Sequence, residues 1–405
     1  MLRLGLTDDS QMVRRAAVQW VGEEQRKEFR WLIDAILNDA STTSDLLLAC
    51  LATLSLLDGV PASEFEKTPP AQYALAIVAD DKRPAALRAT ALRLIPPSLP
   101  ELKGDLLVAL AKSADLALQT EAVRTLQQSP RTEALGVLLE IAAKPQAALE
   151  VRADAVSALC AIVPHEKPLP AEVETLLVSF ANGRLPVSGT NDDVNVISTL
   201  QLEAIRALRG RATEGSKVGQ VLRAGREAAS VNSPLREALD LAITGKSDAD
   251  LQSASVPQPS ALSPQPSPAA GRRVFFAHQG PLCAKCHTIQ GRGGNIGPDL
   301  STIARTATRQ KLIDSILDPS KEISPYFITW SISTTSGKVH TGLIVTENNK
   351  GDIELGDNEG NIIRIPREDV EERTPSKVSV MPQGLHQRMT TQEFTDLLAY
   401  LETLK

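Results

Sequence analysis

The sequence predicts a mainly α-helical protein in which an array of helix pairs is followed by a smaller helical domain with an antiparallel β insertion. Three observations support this fold class. A short apolar motif recurs over residues 1–245, a Ser-, Pro- and Gln-rich segment occupies 246–270, and residues 271–405 combine a compact cysteine motif with a block of β-branched residues. We therefore expect helical repeats, a linker and a C-terminal domain over these three ranges.

The composition is that of an ordinary globular protein. Of the 405 residues, 42% are hydrophobic and 23% are charged, which is enough for two or three domains with buried cores. The net charge of −6 argues against nucleic acid as a main partner. No apolar run reaches the roughly 18 residues that a membrane span requires, so we expect no transmembrane helix.

The motif of the first 245 residues consists of an apolar residue, often an Arg, two variable residues, a small residue and another apolar residue. Its first copy is VRRAAV at 13–18, and successive copies start 33, 41, 31, 33 and 49 residues apart, the length of a helix–turn–helix unit. A small fifth residue lets neighbouring helices approach closely. This position is occupied by Ala17, Cys50, Ala91, Ala122, Ala155 and Ala204.

The stretches between these copies predict the second helix of each pair, for example at 105–111 and 133–142. Together the pairs resemble HEAT-like repeats, which stack into a curved α-solenoid. Cys50 and Cys160 lie in apolar runs of this array, so we expect both to be buried small residues. A turn-rich insertion at 184–192 is expected to form a surface loop.

The segment at 246–270 separates the repeats from the C-terminal domain. It is rich in Ser, Pro, Gln and Ala and has too few apolar residues to form a core. We therefore expect an extended tether.

The C-terminal domain contains Cys283-Ala284-Lys285-Cys286-His287. Two thiols three positions apart, followed at once by an imidazole, are the arrangement required for covalent attachment of a c-type haem. Cys283 and Cys286 would bind the porphyrin through its two vinyl groups, and His287 would be the proximal iron ligand. The cofactor predicted is therefore one covalent haem c. A disulfide, a zinc site and a thioredoxin-like redox pair stay open as alternatives, although Cys50 and Cys160 are isolated and no βαβ pattern is visible.

The proximal side of the predicted haem includes a second candidate residue. Pro298 follows Gly297 in a glycine-rich loop that comes directly after the pentad. Its carbonyl oxygen can accept a hydrogen bond from the ring nitrogen of His287 that does not bind iron, which would fix the orientation of the ring.

The distal side requires a sixth iron ligand, and Met381 is the best candidate. Pro382 follows it, and a thioether in a non-helical loop fixed by proline can lie over the open face of the haem. Met389 and His340 are the alternatives. Met389 directly precedes the last predicted helix, and His340 falls in a predicted strand.

Periodicity assigns the other elements of this domain. Helices are predicted at 271–276, 310–317 and 391–401, and Gly271 lies one turn before Phe275, a spacing that lets the first helix cross the last one closely. Thr390 or Thr391 is the expected N-cap of the last helix. An antiparallel β insertion is expected at about 325–370, because β-branched runs occur at 326–335, 339–346, 352–355 and 361–365.

The C-terminal part of the chain contains CAKCH at 283–287, GPDLS at 297–301, ILDPS at 316–320 with Tyr326, VMPQGL at 380–385 and DLLAYL at 396–401. With these stretches, about residues 268–405 resemble the haem-binding domain of the planctomycete and verrucomicrobial type. The resemblance implies a class I-like cytochrome c domain. Proteins of that group are often exported and carry a propeller domain resembling sugar dehydrogenases before HEAT-like repeats and a terminal cytochrome c domain. Such an upstream domain would be a partner, but no propeller is present here, so we predict no enzymatic activity for this chain by itself.

Electron transfer through a single haem with His287 and Met381 as ligands is the function that these features predict. A haem sensor or peroxidase-like site with an open distal position is one alternative, and a scaffold for protein interactions is another. Covalent haem is attached outside the cytoplasm, whereas the chain begins directly on a repeat and without an export signal. We therefore expect a periplasmic or otherwise exported protein whose signal peptide lies upstream.

The charge around the pentad predicts the type of redox partner. Seven Lys and Arg residues lie between positions 271 and 311, against the single carboxylate of Asp299. These cations would steer an acidic protein toward the haem edge, with Lys285 the closest to that edge. In the alternative interpretation, Arg292 and Arg305 pair with the haem propionates and the other cations are scattered over the surface.

Overall fold

The computed structural model describes residues 1–39, 41–60, 71–163, 167–184, 193–247 and 265–405. Within these ranges there are 17 α-helices, one five-stranded antiparallel sheet and one two-stranded ribbon, which confirms the prediction of a mainly α chain with a small antiparallel sheet. None of the described helices has the length and apolar composition that crossing a bilayer requires. Most of the predicted linker (248–264) and of the predicted insertion (185–192) lies outside the described residues.

The chain divides into two compact units, Met1–Val137 and Leu138–Lys405, and the division falls within the predicted repeat region. In the first unit, Thr43 and Asp115 cap α4 and α8 by accepting a hydrogen bond from a backbone N–H of the first turn. Its helices are α1 (Leu2–Leu6), α2 (Gln11–Glu23), α3 (Arg30–Ile36), α4 (Ser44–Leu57), α5 (Ala71–Ala79), α6 (Ala85–Leu94), α7 (Gly104–Ala111) and α8 (Leu116–Gln128). The division itself lies in α9 (Leu135–Ala143).

The second unit begins with further helix pairs. Helix α11 packs on α12 and α13 on α14, while α12 also contacts α10 and α14. Ser216 and Ser233 cap α13 and α14. The bounds of these helices are α10 (Leu149–Ile162), α11 (Ala171–Ala181), α12 (Asp193–Ala207), α13 (Lys217–Ala228) and α14 (Pro234–Thr244).

The repeat motif has a structural role at its second and fifth positions. All six residues at the small fifth position are buried, Cys50 among them. In four of the six copies, the Arg or Gln at the second position donates a hydrogen bond to a carbonyl in the last turn of the preceding helix, where backbone acceptors lack partners within the helix. These contacts are Arg88 Nε to Val78 O (2.9 Å) and Gln119 Nε2 to Ala111 O (2.9 Å) in the first unit, and Arg152 Nε to Ala142 O (3.0 Å) and Gln201 Nε2 to Ala181 O (2.9 Å) in the second. In the first copy, Arg14 instead donates to the Asp39 carboxylate at 3.0 Å.

Three helices surround the apolar core of the C-terminal domain: α15 (Pro268–Phe275), α16 (Arg309–Leu317) and α17 (Thr391–Leu401). The predicted close crossing of the first and last helices is confirmed, because a Cβ at Gly271 would overlap the carbonyl of Asp396. The Phe275 ring meets Tyr400 edge-on, with ring centroids 6.2 Å apart. Thr390 is the N-cap of α17 and forms a capping box with Glu393.

The sheet has the strand order β6-β5-β4-β3-β7, and all its pairs are antiparallel. The four predicted strands are present, but the predicted end of the insertion at about residue 370 is wrong, because a fifth strand follows and pairs with β3. This strand is polar and contains Pro375, as is typical of a sheet edge. The bounds are β3 (Thr329–Thr334), β4 (Val339–Glu347), β5 (Ile353–Gly356), β6 (Ile362–Ile365) and β7 (Val370–Ser376), and β1 (Thr288–Ile289) pairs with β2 (Arg292–Gly293) in the ribbon.

Within the second unit, a buried ion network joins α15 and α17 to the helix pairs. Arg273 of α15 is 1% exposed and donates to Glu203 of α12 at 2.8 Å. Arg206 bridges Glu203 and Glu393 of α17, and Arg209 also donates to Glu393, at 2.7 Å. The C-terminal helices therefore pack on the last helix pairs through buried charges.

Candidate functional site

Cys283 begins one turn of 3₁₀-helix, Cys283–Lys285, and Cys286 follows directly as its C-cap. Leu282, which precedes the turn, has a left-handed conformation with φ 58°. The carbonyl of Cys283 accepts from the N–H groups of Cys286 (3.2 Å) and His287 (3.0 Å). This tight turn presents both sulfurs and the imidazole from five consecutive residues, as the pentad predicts.

The His287 ring is held by the predicted contact with Pro298. Its Nδ1 lies 2.9 Å from the carbonyl oxygen of Pro298. A carbonyl can only accept, so Nδ1 carries the proton and Nε2 keeps a lone pair for a metal. Burial lowers the pKa of His287, which also favours the neutral ring that a metal needs.

Glycines allow the backbone to pass close beneath this ring. A Cβ at Gly297 would lie 2.7 Å from Cε1 of His287, so a larger residue would displace the ring. The Gly297 N–H donates to the carbonyl of Cys286 at 2.8 Å, and that of Gly294 donates to Ala284 at 2.8 Å. The glycine-rich loop is thus bonded directly to the turn that carries the cysteines.

Both thiols of the pentad are half-buried and free. Cys50 and Cys160 are free as well; Cys50 is buried, as expected, whereas Cys160 is half-buried. Burial raises the pKa of Cys283 to about 12. Burial and the carboxylate of Asp357 raise the pKa of Cys286. At neutral pH both thiols are therefore protonated.

The four methionines differ in their surroundings. Met381 is half-buried and packs against the same apolar cluster as Cys283, whereas Met389 is 0% exposed inside that cluster. Met1 and Met12 are 95% and 83% exposed in the first unit. The structure therefore supports the preference for Met381, which stays a prediction.

The loop of Met381 is fixed by two hydroxyl groups. The N–H of Ser379 donates to Ser320 Oγ, and the N–H of Met381 donates to Ser379 Oγ, both at 3.1 Å. His340, the other distal candidate, lies on β4 opposite Ile332 of β3.

These residues fit a covalently attached haem of the His/Met type. The imidazole has one nitrogen bonded and one free, two adjacent thiols are unpaired, and Met381 and Cys283 border one apolar cluster. Among the described residues, no three His, Cys, Asp or Glu side chains lie close enough together to hold a metal ion. A haem iron takes four ligands from the porphyrin, so a His–Met pair needs no such group.

Several of the seven cations near the pentad are engaged in other contacts. Arg273 belongs to the buried ion network, Arg309 pairs with Glu402 and Lys311 pairs with Glu322. Arg292, one of the two predicted propionate partners, is 4% exposed, while Arg305 is exposed. Arg273 is therefore unavailable for steering a partner, while Lys285 and Arg305 are exposed.

Sequence reasoning missed the residues of the β insertion that contact the pentad. The Lys285 ammonium donates to the carbonyl of Glu359 at 3.4 Å, and Gly360 lies against the Lys285 side chain. The Asp-Asn-Glu-Gly turn at 357–360 was the only sequence signal, and it indicated a hairpin without indicating what the hairpin touches. No protein-family model matches this chain, and no curated protein matches its sequence.

Proposed function

We propose that this protein transfers electrons through one covalently attached haem c. The observation that carries the proposal is the 2.9 Å contact between His287 Nδ1 and the Pro298 carbonyl, next to two free thiols on one turn. This contact leaves Nε2 as the only ring nitrogen able to bind iron.

Each residue of the site has a role in this proposal. Cys283 and Cys286 would hold the porphyrin, His287 would bind the iron from the proximal side and Met381 from the distal side. The haem iron, when bound, supplies the one-electron chemistry by cycling between its ferrous and ferric states. The chain itself orients the imidazole through Pro298 and excludes water through the surrounding apolar cluster.

The wider context of the proposal follows from the sequence. The C-terminal domain would be a class I-like cytochrome c domain carried on a HEAT-like solenoid, in a periplasmic or otherwise exported protein. Its partner would be an acidic redox protein or an upstream propeller dehydrogenase domain of the full-length protein. The chain by itself would be an electron-transfer module rather than an enzyme.

Covalent haem attachment tests this proposal. We expect the chain, exported in a host that has a c-type maturation system, to retain haem after denaturing gel electrophoresis and to stain for haem peroxidase activity. The double variant Cys283→Ser with Cys286→Ser should lose the stain completely, because both thioether bonds are removed.

Cys50→Ser is the matched control, since Cys50 is a free thiol that lies outside the pentad. It should retain the full stain. An unstained wild-type chain, or an equal loss of stain in Cys50→Ser, would exclude covalent attachment at the pentad.

A further inference from the structure

The β insertion touches the segment between the two cysteines. In the turn between β5 and β6, Gly360 has φ +88°, and a Cβ there would lie 3.1 Å from the Lys285 Cβ. In the same turn, the carbonyl of Glu359 accepts a hydrogen bond from the Lys285 ammonium. The backbone of the turn therefore lies against the residue at the centre of the pentad.

Asp357 makes this turn rigid. Its Oδ1 accepts from the N–H groups of Glu359 (2.9 Å) and Asn361 (2.8 Å), and its Oδ2 accepts from the Asn361 amide (3.0 Å). A carboxylate that accepts several backbone N–H groups locks a short turn in one conformation. The contact with Lys285 is thus made by an ordered surface.

Strand β5 makes a second contact, with the glycine-rich loop that contains Ile296 and Gly297 and that we call the proximal loop. A Cβ at Gly356, the last residue of β5, would lie 2.6 Å from Cγ1 of Ile296, which is 4% exposed. Ile296 directly precedes Gly297, which lies against the His287 ring. A shift of the Ile296 backbone would therefore also move Gly297, which lies against the imidazole.

At the opposite edge of the same sheet, strand β7 continues into the loop that contains Ser379 and Met381, which we call the distal loop. Strand β7 ends at Ser376, which pairs with Thr329 of β3. Ser379 and Met381 follow after a few residues, and Ser379 is bonded to Ser320. The sheet has its own core, in which Ile332 and Leu355 are fully buried. It therefore contacts the proximal loop through Gly356, and its last strand directly precedes the distal loop in sequence.

We propose that this sheet is a positioning element for the two axial iron ligands. Gly356 and the turn at 357–361 hold the proximal loop and the pentad, while β7 sets the start of the distal loop. Gly356, Asp357 and Gly360 act as positioning residues through Ile296 and Lys285. The assignment of His287 and Met381 as iron ligands rests on the proposed function, whereas the support that the sheet gives to the proximal loop does not.

The test uses the full chain without haem, so that it does not depend on haem attachment. We expect Gly356→Ala to speed hydrogen–deuterium exchange of the Gly297 amide at least tenfold. The added methyl group displaces Ile296 and thereby weakens the hydrogen bond from the Gly297 N–H to the Cys286 carbonyl. The second substitution Ile296→Ala makes room for that methyl group, so the double variant should return toward the wild-type rate. Peptide-level mass spectrometry over 290–300 measures both rates.

Gly337→Ala is the matched control. Gly337 lies in the turn between β3 and β4 of the same sheet with φ +79° and has no atoms within 4 Å of an added Cβ. This substitution strains the sheet away from the ligand loops, so exchange at Gly297 should stay within twofold of wild type. Unchanged exchange in Gly356→Ala, equal acceleration in Gly337→Ala, or no recovery in the double variant would overturn the proposal.

Haem-loaded samples of the same variants provide the second readout. We expect Gly356→Ala to lose most of the weak far-red absorption band of iron–thioether ligation, and Gly337→Ala to keep it. A full band in Gly356→Ala would contradict the positioning role. An absence of haem in every variant would instead refute the proposed function, and the exchange rates would still decide whether the sheet supports the proximal loop.

Discussion

Met381 and Met389 are eight residues apart in sequence but lie in different environments. The Met389 side chain is fully buried in an apolar core, where it contributes packing. The Met381 side chain is half-buried in a loop held by Ser379 and is free of helix and strand geometry. Only Met381 combines access with a fixed backbone, which is what an axial ligand needs.

We predict that Met381→Ala removes the far-red absorption band of the haem-loaded protein and lowers its reduction potential, because thioether ligation favours the ferrous state. Spectroscopy and a redox titration measure the two effects. Thermal stability without haem should change little, since the side chain is only half-buried.

Met389→Ala is the comparison for that prediction. It should keep the band and reduce the free energy of unfolding by about 2–5 kcal/mol, the usual cost of truncating a buried Met. If Met389→Ala loses the band and Met381→Ala keeps it, the assignment of the distal ligand is wrong.

At the scale of single elements, several repeat helices make the same side-chain hydrogen bond to the helix that precedes them in the chain. In four of the six copies, the Arg or Gln at the second motif position donates a hydrogen bond to a carbonyl at the end of the preceding helix, as Gln119 does to Ala111. The last carbonyls of a helix have no partner within it, so a side chain from the next helix both caps one helix and orients the other. This explains why a polar residue recurs beside the apolar positions of the motif.

We predict that Gln119→Leu lowers the free energy of unfolding of the first unit by about 1 kcal/mol, and at most about 3 kcal/mol, because the Ala111 carbonyl loses its side-chain partner. Chemical denaturation followed by circular dichroism measures the change. Gln310→Leu is the control, since the exposed Gln310 amide bonds only Asp314 of its own helix. A loss in Gln310→Leu as large as in Gln119→Leu would remove the capping explanation.

At the scale of the whole second unit, Glu393 connects three features. It closes the capping box of α17 and accepts from Arg206 (2.6 Å) and Arg209 (2.7 Å) of the α12 region. Burial alone would raise the pKa of Glu393, but Arg209 and Arg206 lower it to about 2. The carboxylate is therefore charged in the folded state over nearly the whole range in which the protein is expected to be folded.

We predict that Glu393→Gln lowers the free energy of unfolding of the second unit by about 3–5 kcal/mol at neutral pH, because the buried Arg206 and Arg209 both lose the negative charge of Glu393. A carboxyl whose pKa is lower in the folded than in the unfolded state stabilises the fold above the unfolded value of 4.5. The advantage of the wild type should therefore shrink as the pH falls from 4.5 toward 2. Denaturation of both proteins at several pH values measures this difference.

Arg309→Gln is the control for the buried network, since Arg309 and Glu402 form a pair in which each side chain is 38% exposed. It should cost at most about 1 kcal/mol, as exposed ion pairs do. A pH-independent difference between wild type and Glu393→Gln would show that the ion network does not account for the stability of this interface.

The sequence alone was sufficient for features that depend on local order. The pentad at 283–287 and the Pro298 contact were predicted because the ligand spacing and the short loop are local, and the tertiary structure brings His287 and Pro298 together as expected. The helices at 310–317 and 391–401 were predicted because helical periodicity is visible in any window of a few turns. The crossing at Gly271 followed from a single glycine one turn before an aromatic residue.

Only the tertiary structure decided which distant residues meet. Arg206 and Glu393 are 187 positions apart, and nothing in the pattern of charges pairs them, because an ion pair has no sequence period. Residue propensities do not predict strand β7, because it is polar and contains Pro375. Both features are tolerated only because the strand lies at the edge of the sheet. The contact of Gly356 with Ile296 depends on where the sheet packs, which is set by burial of both surfaces at once rather than by either segment.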